Sequence, residues 1–257
     1  MTDDFSSPRH PEARIFRLVI EYDGSGFHGW QRQKSDRTVQ AVIESALFTM
    51  TGENIVVSGS GRTDAGVHAL AQAASFRTVS RLTAAAFLKG LNSLLPDDVT
   101  IHACEPVHNG FHARFDARGK HYRYHIRNTP LAPAIGRQFV WHIRMPLNVP
   151  AMAKAAAFLI GTHDFKSFEG AGSPRNHTVR TLTRATVTAE ENGNIAVDME
   201  ADGFLRFMVR NIVGTLVDVG MGKIPAPEVV AILEAKDRSR ASATAPPQGL
   251  FLMQVRY

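Results

Sequence analysis

The chain has 257 residues, 44% hydrophobic and 21% charged, the balance of a globular protein long enough to bury one large core or two small ones. Its 29 Lys and Arg stand against 24 Asp and Glu, a net charge of +5 that permits a polyanionic partner without requiring one. The single cysteine, Cys104, excludes a disulfide framework or a cysteine-built zinc site within the chain, and no apolar run reaches membrane-spanning length.

Residues 1–13 are polar, carry Pro8 and Pro11, and read as a tail. They lack the apolar core of a secretory signal, so the cytoplasm is the expected compartment. Alternation predicts a first strand over Ile15–Tyr22, followed by the glycine-rich stretch from Asp23 to Gln33 with Trp30 as an apolar anchor. Its spacing fits neither a phosphate loop nor a dinucleotide fingerprint. A helix follows, with Thr38 as cap, Val39, Val42, Ile43, Ala46 and Leu47 on one face, and Gly52 as stop. Strands are predicted over Asn54–Val57 and from Ala69 towards Val79, a helix over Thr83–Leu95 ending at Pro96, and a strand over Val99–Ala103. Cys104 reads as a packed residue at the end of that strand.

The second half repeats this order loosely. A strand over Lys120–Arg127 puts Tyr122, Tyr124 and Ile126 on one face. A helix over Pro150–Ile160 leads to a polar segment, Gly161–Thr181, that reads as a long loop. Strands over Leu182–Ala189 and Ile195–Ala201 flank Asn192-Gly193, a hairpin signal. Helices over Phe204–Val219 and Pro227–Ala235 and a strand over Leu250–Tyr257 complete the chain. The β-α-β-β-α-β order predicts an α+β fold. Two related split β-α-β (ferredoxin-like) units, 14–110 and 111–257, would adjoin through mainly antiparallel sheets with a catalytic cleft between them.

Val57–Gln72 concentrates the polar chemistry. Arg62, Thr63 and Asp64 are consecutive, among Gly59, Gly61 and Gly66. Asp64 with Gly66 reads equally as an ordinary turn or as a site. Arg206 and Arg210 lie in an otherwise apolar predicted helix, so each needs an anionic neighbour or an exit to water. Tyr122 reads as core packing on residue type alone. His108 and His112, and His121 and His125, are poorly placed as metal ligands, and no metal or cofactor is expected.

Gly61–Ala69, GRTDAGVHA, resembles the signature of the TruA family of tRNA pseudouridine synthases. YDGSGFHGWQRQ, the Tyr122-Arg-Tyr run, FMVRNIVG and Gly249-Leu-Phe-Leu resemble its other motifs in family order. The resemblance implies a cofactor-free isomerase acting as a homodimer on uridines 38, 39 and 40 of the tRNA anticodon arm. It implies Asp64 as nucleophile, Arg210 as its partner holding it ionised, Tyr122 against the substrate base, and Leu250 bordering the uracil. It implies that Arg62 fills the stack vacated by a flipped nucleotide or holds its phosphate. Arg32, Arg114, Arg118 and Arg175 are backbone contacts for a folded RNA or plain surface charges. Whether Asp64 attacks C6, attacks the sugar carbon or takes a sugar proton is open. Two other readings stand beside this one: a non-catalytic RNA binder, against which no RNP1-like run appears, and a hydrolase with an Asp nucleophile.

Overall fold

The structure, a computed structural model, describes residues 13–170, 172 and 177–257. The predicted tail up to residue 12 and Arg175 lie outside the described residues. Strand β1 (Arg14–Tyr22) buries Phe16, Leu18, Ile20 and Tyr22, the four apolar residues its alternation places on one face. Helix α1 (Val39–Thr51), β2 (Ser58–Gly59), β3 (His68–Thr78), α2 (Ala84–Leu94) and β4 (Val99–Val107) follow. The remainder runs β5 (Gly119–Asn128), β6 (Trp141–Ile143), α3 (Val149–Ala157), β7 (Gly161–Asp164), β8 (Val179–Ala189), β9 (Asn194–Ala201), α4 (Met208–Gly220), α5 (Glu228–Ala235) and β10 (Leu250–Arg256).

The strands form one large open sheet in the order β4-β1-β3-β10-β5-β9-β8-β7, with β2 added to β3 and β6 to β5. Pairing is mostly antiparallel. The join between strands from the two ends of the chain is parallel, where β10 meets β3 at Phe251–His68 and Leu252–Ala69. Tyr122 and Tyr124 of β5 are buried in the same core as the apolar face of β1. Phe87 of α2 packs on Phe16 and Phe76 at 5.1 and 5.2 Å between ring centroids. Asn192 and Gly193 both take positive φ, 58° and 74°, in the tight turn between β8 and β9 that this dipeptide predicts.

Four local expectations are corrected. Asn54–Val57 is not a strand, because the Val57 N–H donates to the Glu44 side chain at 2.9 Å instead of to a neighbouring strand. Gly161–Thr181 is not loop throughout, because Gly161–Asp164 pairs with Val179–Leu182. Helix α4 starts at Met208 rather than Phe204, because Phe207 sits at φ 60°, a left-handed conformation that interrupts the helix. Thr38 occupies the cap position of α1 without a side-chain capping bond. Backbone carbonyls do part of that work: Gly29 and Trp30 accept from the N–H groups of Val39 and Gln40 at 3.2 and 3.0 Å.

The segment from Gly24 to Trp30 thereby joins the start of α1 to the loop before β3. A Cβ at Gly24 would lie 2.1 Å from the Val67 carbonyl oxygen, a backbone atom with no room to yield. Gly24→Ala is therefore expected to cost about 1–3 kcal/mol of stability, as overpacking in a filled interior does. Chemical denaturation would register this as a lower midpoint at unchanged slope, and an unmoved midpoint would show the two loops to be loosely joined.

Candidate active site

The loop Ser60–Val67 is a built structure. Ser60 N–H donates to the Ala73 carbonyl at 2.8 Å and its hydroxyl donates to Gln72 Oε1 at 2.7 Å, while Gln72 Nε2 donates to the Gly61 carbonyl at 3.0 Å. Thr63 shares a 2.8 Å hydroxyl hydrogen bond with Tyr22, and its carbonyl accepts from Trp30 N–H at 3.1 Å. The Val67 N–H closes a tight turn onto the Asp64 carbonyl at 3.1 Å, with Gly66 at φ 76°. Gly29, at φ 88°, lies so close beneath that a Cβ there would meet the Thr63 carbonyl oxygen at 2.6 Å. These contacts leave the Asp64 side chain 28% exposed on a loop with little freedom to move.

Across from it stands Arg210, in the first turn of α4. Its Nη1 donates to Asp64 Oδ2 at 3.2 Å and its Nε to the Ala245 carbonyl at 2.7 Å. The Ala245 N–H returns a bond to the Arg210 carbonyl at 3.1 Å. Burial is the largest influence on Asp64 and pushes its carboxyl above the ordinary carboxylate range. The charges of Arg210 and, more weakly, Arg206 oppose that rise without cancelling it. Arg210 lowers the carboxyl in the direction expected of a partner that holds it ionised, and desolvation, which that expectation left out, outweighs the cation.

Tyr122 is buried on β5, with the Phe204 ring edge-on at 5.1 Å. Burial pushes its phenol far above the ordinary range, and the nearby Tyr22 and Asp64 add to that. It therefore stays protonated, able to pack against a ring or donate a hydrogen bond and unable to serve as a phenolate. Arg62 is exposed on the loop, two residues from Asp64. Leu250 is buried on β10 opposite Tyr124, and Leu252 of the same strand pairs with Tyr122. Asp64 and Arg210 are thus brought into contact and Tyr122 lies near enough for the Asp64 charge to act on it, while Arg62 is exposed on the same loop and Leu250 is buried on the neighbouring strand.

Two neighbours, Phe207 and Lys120, escaped the sequence reading, and a third, Arg206, was singled out but placed on the wrong element. Arg206 precedes α4 instead of sharing a helical face with Arg210, yet its charge still acts on Asp64. Phe207 carries both guanidinium groups against its ring, Arg206 at 4.7 Å and Arg210 at 5.0 Å from the centroid. Lys120 Nζ donates to the Ser60 carbonyl at 2.8 Å, tying β5 to the loop's start. The i, i+4 arginine pair was the one available signal, and nothing in the residue types marks an aromatic at positive φ. A separate concavity of about 580 Å³ carries His68, His125 and Phe251, residues whose strand positions face away from Tyr122, together with Phe139 of the β5–β6 connection, and Asp64 is not in its lining. Among the described residues no cluster of three or more His, Cys, Asp or Glu could hold a metal ion, and no helix is long and apolar enough to cross a membrane.

A partly buried acid, a guanidinium bonded to it and a protonated phenol nearby make a group suited to chemistry on a planar polar ring. Comparison with known proteins agrees with that outline. The model of a family described as tRNA pseudouridine synthase matches residues 18–116 and 155–257. A tRNA pseudouridine synthase A of Thermoanaerobacter sp. (strain X514) is 47% identical over 244 residues, 95% of this chain and 100% of the relative. Proteins of the same name from Ruminiclostridium cellulolyticum and Caldicellulosiruptor saccharolyticus are 47% and 44% identical over the same shares. The chain belongs to the tRNA pseudouridine synthase family, whose members are isomerases that make pseudouridine in tRNA. Asp64, Arg210 and Leu250 lie within the matched blocks, and Tyr122 lies between them.

The raised carboxyl of Asp64 has a consequence for stability. Its native form binds a proton more readily than its unfolded form, so stability falls as pH rises through the window that opens just above the ordinary value of 3.8. Asp64→Asn, which keeps an acceptor for Arg210, is expected to be at least as stable as the parent at pH 7, with the advantage vanishing in acid. Denaturation curves at several pH values check this, and a variant less stable than the parent at pH 7 would mean that attraction to Arg210 exceeds the cost of burial.

Proposed function

We propose that the chain converts uridine to pseudouridine at positions 38, 39 and 40 of the tRNA anticodon arm, with Asp64 as nucleophile and without a cofactor. The observation that carries this reading is the 3.2 Å bond between Arg210 and a carboxylate held in a rigid, partly buried loop. Isomerisation breaks the bond from the sugar C1′ to N1 and forms one to C5. The proton leaving C5 is balanced by one gained at N1, so no external donor or acceptor is consumed. What the reaction needs is a carboxylate that attacks and departs, a pocket that turns the detached ring, and exclusion of water.

Asp64 suits the first need. A carboxylate raised in pKa by desolvation is poorly solvated and correspondingly reactive, and Arg210 keeps an ionised fraction available. When a base covers the site and displaces water, the attraction between the two groups strengthens, because the local dielectric falls. Tyr122, protonated and buried, would lie against the uracil and donate or relay a proton near C5, and Leu250 would border the ring. The target nucleotide must leave its stack, at a cost of a few kcal/mol. Arg62 is exposed on the Asp64 loop, where it would occupy the vacated space or hold the phosphate. Two related α+β units, 14–110 and 111–257, would frame this cleft, and the protein would work in the cytoplasm as a homodimer.

Two measurements test the assignment. Incubation with unmodified tRNA, followed by mapping of pseudouridine, is expected to find product at positions 38–40. Asp64→Ala is expected to bind tRNA nearly as the parent does while releasing no tritium from C5-labelled uridine, and tritium release by that variant would overturn the role of Asp64. Arg210→Ala removes the largest charge opposing the raised carboxyl, so the acid limb of its single-turnover pH profile should move to higher pH.

A further inference from the structure

The connection between β4 and β5 holds an aromatic ring out into solvent. Phe115 is 74% exposed, on a turn that is otherwise closely tied. The N–H groups of Phe115 and Asp116 both donate to the His112 carbonyl at 3.1 Å. The Asp116 carboxylate turns back to accept the His112 N–H at 2.8 Å, and the Arg114 N–H donates to His112 Nδ1 at 3.1 Å. The turn is anchored beneath by Ala113, whose N–H donates to Ser75 Oγ on β3 at 3.1 Å and whose carbonyl accepts from the Tyr257 hydroxyl at 2.8 Å. The Phe115 ring lies 4.4 Å from the His112 ring at 37°, and the Arg114 guanidinium stands 5.5 Å from its centroid.

Single exposed apolar side chains are ordinary, and exposure alone says nothing. Here the ring is fixed in place by a hydrogen-bonded turn, backed by an imidazole and flanked by the exposed cation Arg114, with a second exposed cation, Arg118, three positions further along the chain. A flat aromatic face among positive charges is the surface that binds unpaired nucleobases. Any base offers a π-face to stack on, and the neighbouring phosphates meet the cations. Phe115 is also near the chemistry along the chain. Lys120, which holds the Asp64 loop through Ser60, lies five positions further on. An extended chain spans at most about 18 Å over that distance, roughly five nucleotide steps at ~3.4 Å each.

We propose that Phe115 is a stacking platform for an unpaired base of the RNA substrate, a contact away from the reacting nucleotide. The proposal rests on the reading of tRNA as substrate. It assigns the ring to affinity and register, leaving the chemical step to Asp64.

The test uses the full chain and an unmodified tRNA transcript. Phe115→Ala is expected to weaken tRNA binding about tenfold, within a range of roughly 5- to 100-fold for loss of one base–aromatic stack, with the single-turnover rate at saturating tRNA unchanged. Phe115→Trp should bind as the parent does. Its emission should be quenched on titration with tRNA, beyond the change given by the native Trp30 and Trp141 in a parallel titration of the parent. Binding by Phe115→Ala at parental strength, or no additional quenching in Phe115→Trp, overturns the platform. A shift in oligomeric state in Phe115→Ala, seen by light scattering, overturns it in favour of a surface for a second copy of the chain. If the parent modifies tRNA while these variants behave as it does, the platform alone falls; if the parent neither binds nor modifies tRNA, the substrate reading falls and takes the platform with it.

Discussion

The contact between Asp64 and Arg210 joins residues 146 positions apart, and most of the site's architecture serves to maintain it. The acid comes from the loop before β3 and the guanidinium from the first turn of α4, so neither local segment can form the pair alone. The two effects at the carboxyl have opposite signs. Burial disfavours its charge and Arg210 favours it, and the balance settles on a carboxyl raised above its usual range. For the nucleophile we propose, full solvation would slow attack, because water would have to be stripped from the carboxylate. A tightly compensated one would be held too firmly by its cation.

Such a balance holds only if the geometry is stiff, since both effects change steeply with distance and exposure. Stiffness comes from backbone packed on backbone. Gly24 and Gly29 let one chain segment approach the Asp64 loop to distances at which any Cβ would collide with a carbonyl oxygen. Gly59 lies as closely under the Trp30 ring. On the other side the Ala245 carbonyl and N–H bracket Arg210, fixing the guanidinium from behind while its far end reaches the acid. Binding sites on loops are usually adaptable. This one is as constrained as a strand, and pre-organisation of that kind is what lets a charged group act without first rearranging.

How much of this could be read from the residues depends on the range of the forces involved. The alternation in Phe16-Leu18-Ile20-Tyr22 and Tyr122-Tyr124-Ile126, the Asn192-Gly193 turn and the apolar face of α1 are local signals, and the structure carries each of them. On residue types alone the loop around Asp64 reads equally as a turn or a site, and what marks it is the likeness of its nine contiguous residues, Gly61–Ala69, to a family signature. Errors arose where a distant group intervened. Glu44 takes the Val57 N–H out of strand pairing, and Gly161–Asp164 becomes a strand only because Val179–Leu182 lies beside it. The direction of the Asp64 shift was also out of reach. It depends on how much water the fold removes, which no spacing of residues reports.

The break at Phe207 shows how one unfavourable residue can organise a charged pair. A non-glycine residue at φ 60° costs of order 1–3 kcal/mol and persists only when its surroundings over-determine it. Those surroundings are specific. A Cβ at Gly170 would stand 2.3 Å from the Phe207 ring, so only glycine leaves room for that ring, and the Gly170 N–H donates to the Arg206 carbonyl at 2.8 Å. Had the helix run on from Phe204, Arg206 and Arg210 would lie on consecutive turns, with side chains in parallel. The left-handed residue holds back the start of the helix until Met208, leaving Arg206 outside it, and both guanidinium groups come to rest on a single ring. The strain therefore converts a regular stripe of charge into a convergent one, directed at the carboxylate whose burial must be opposed.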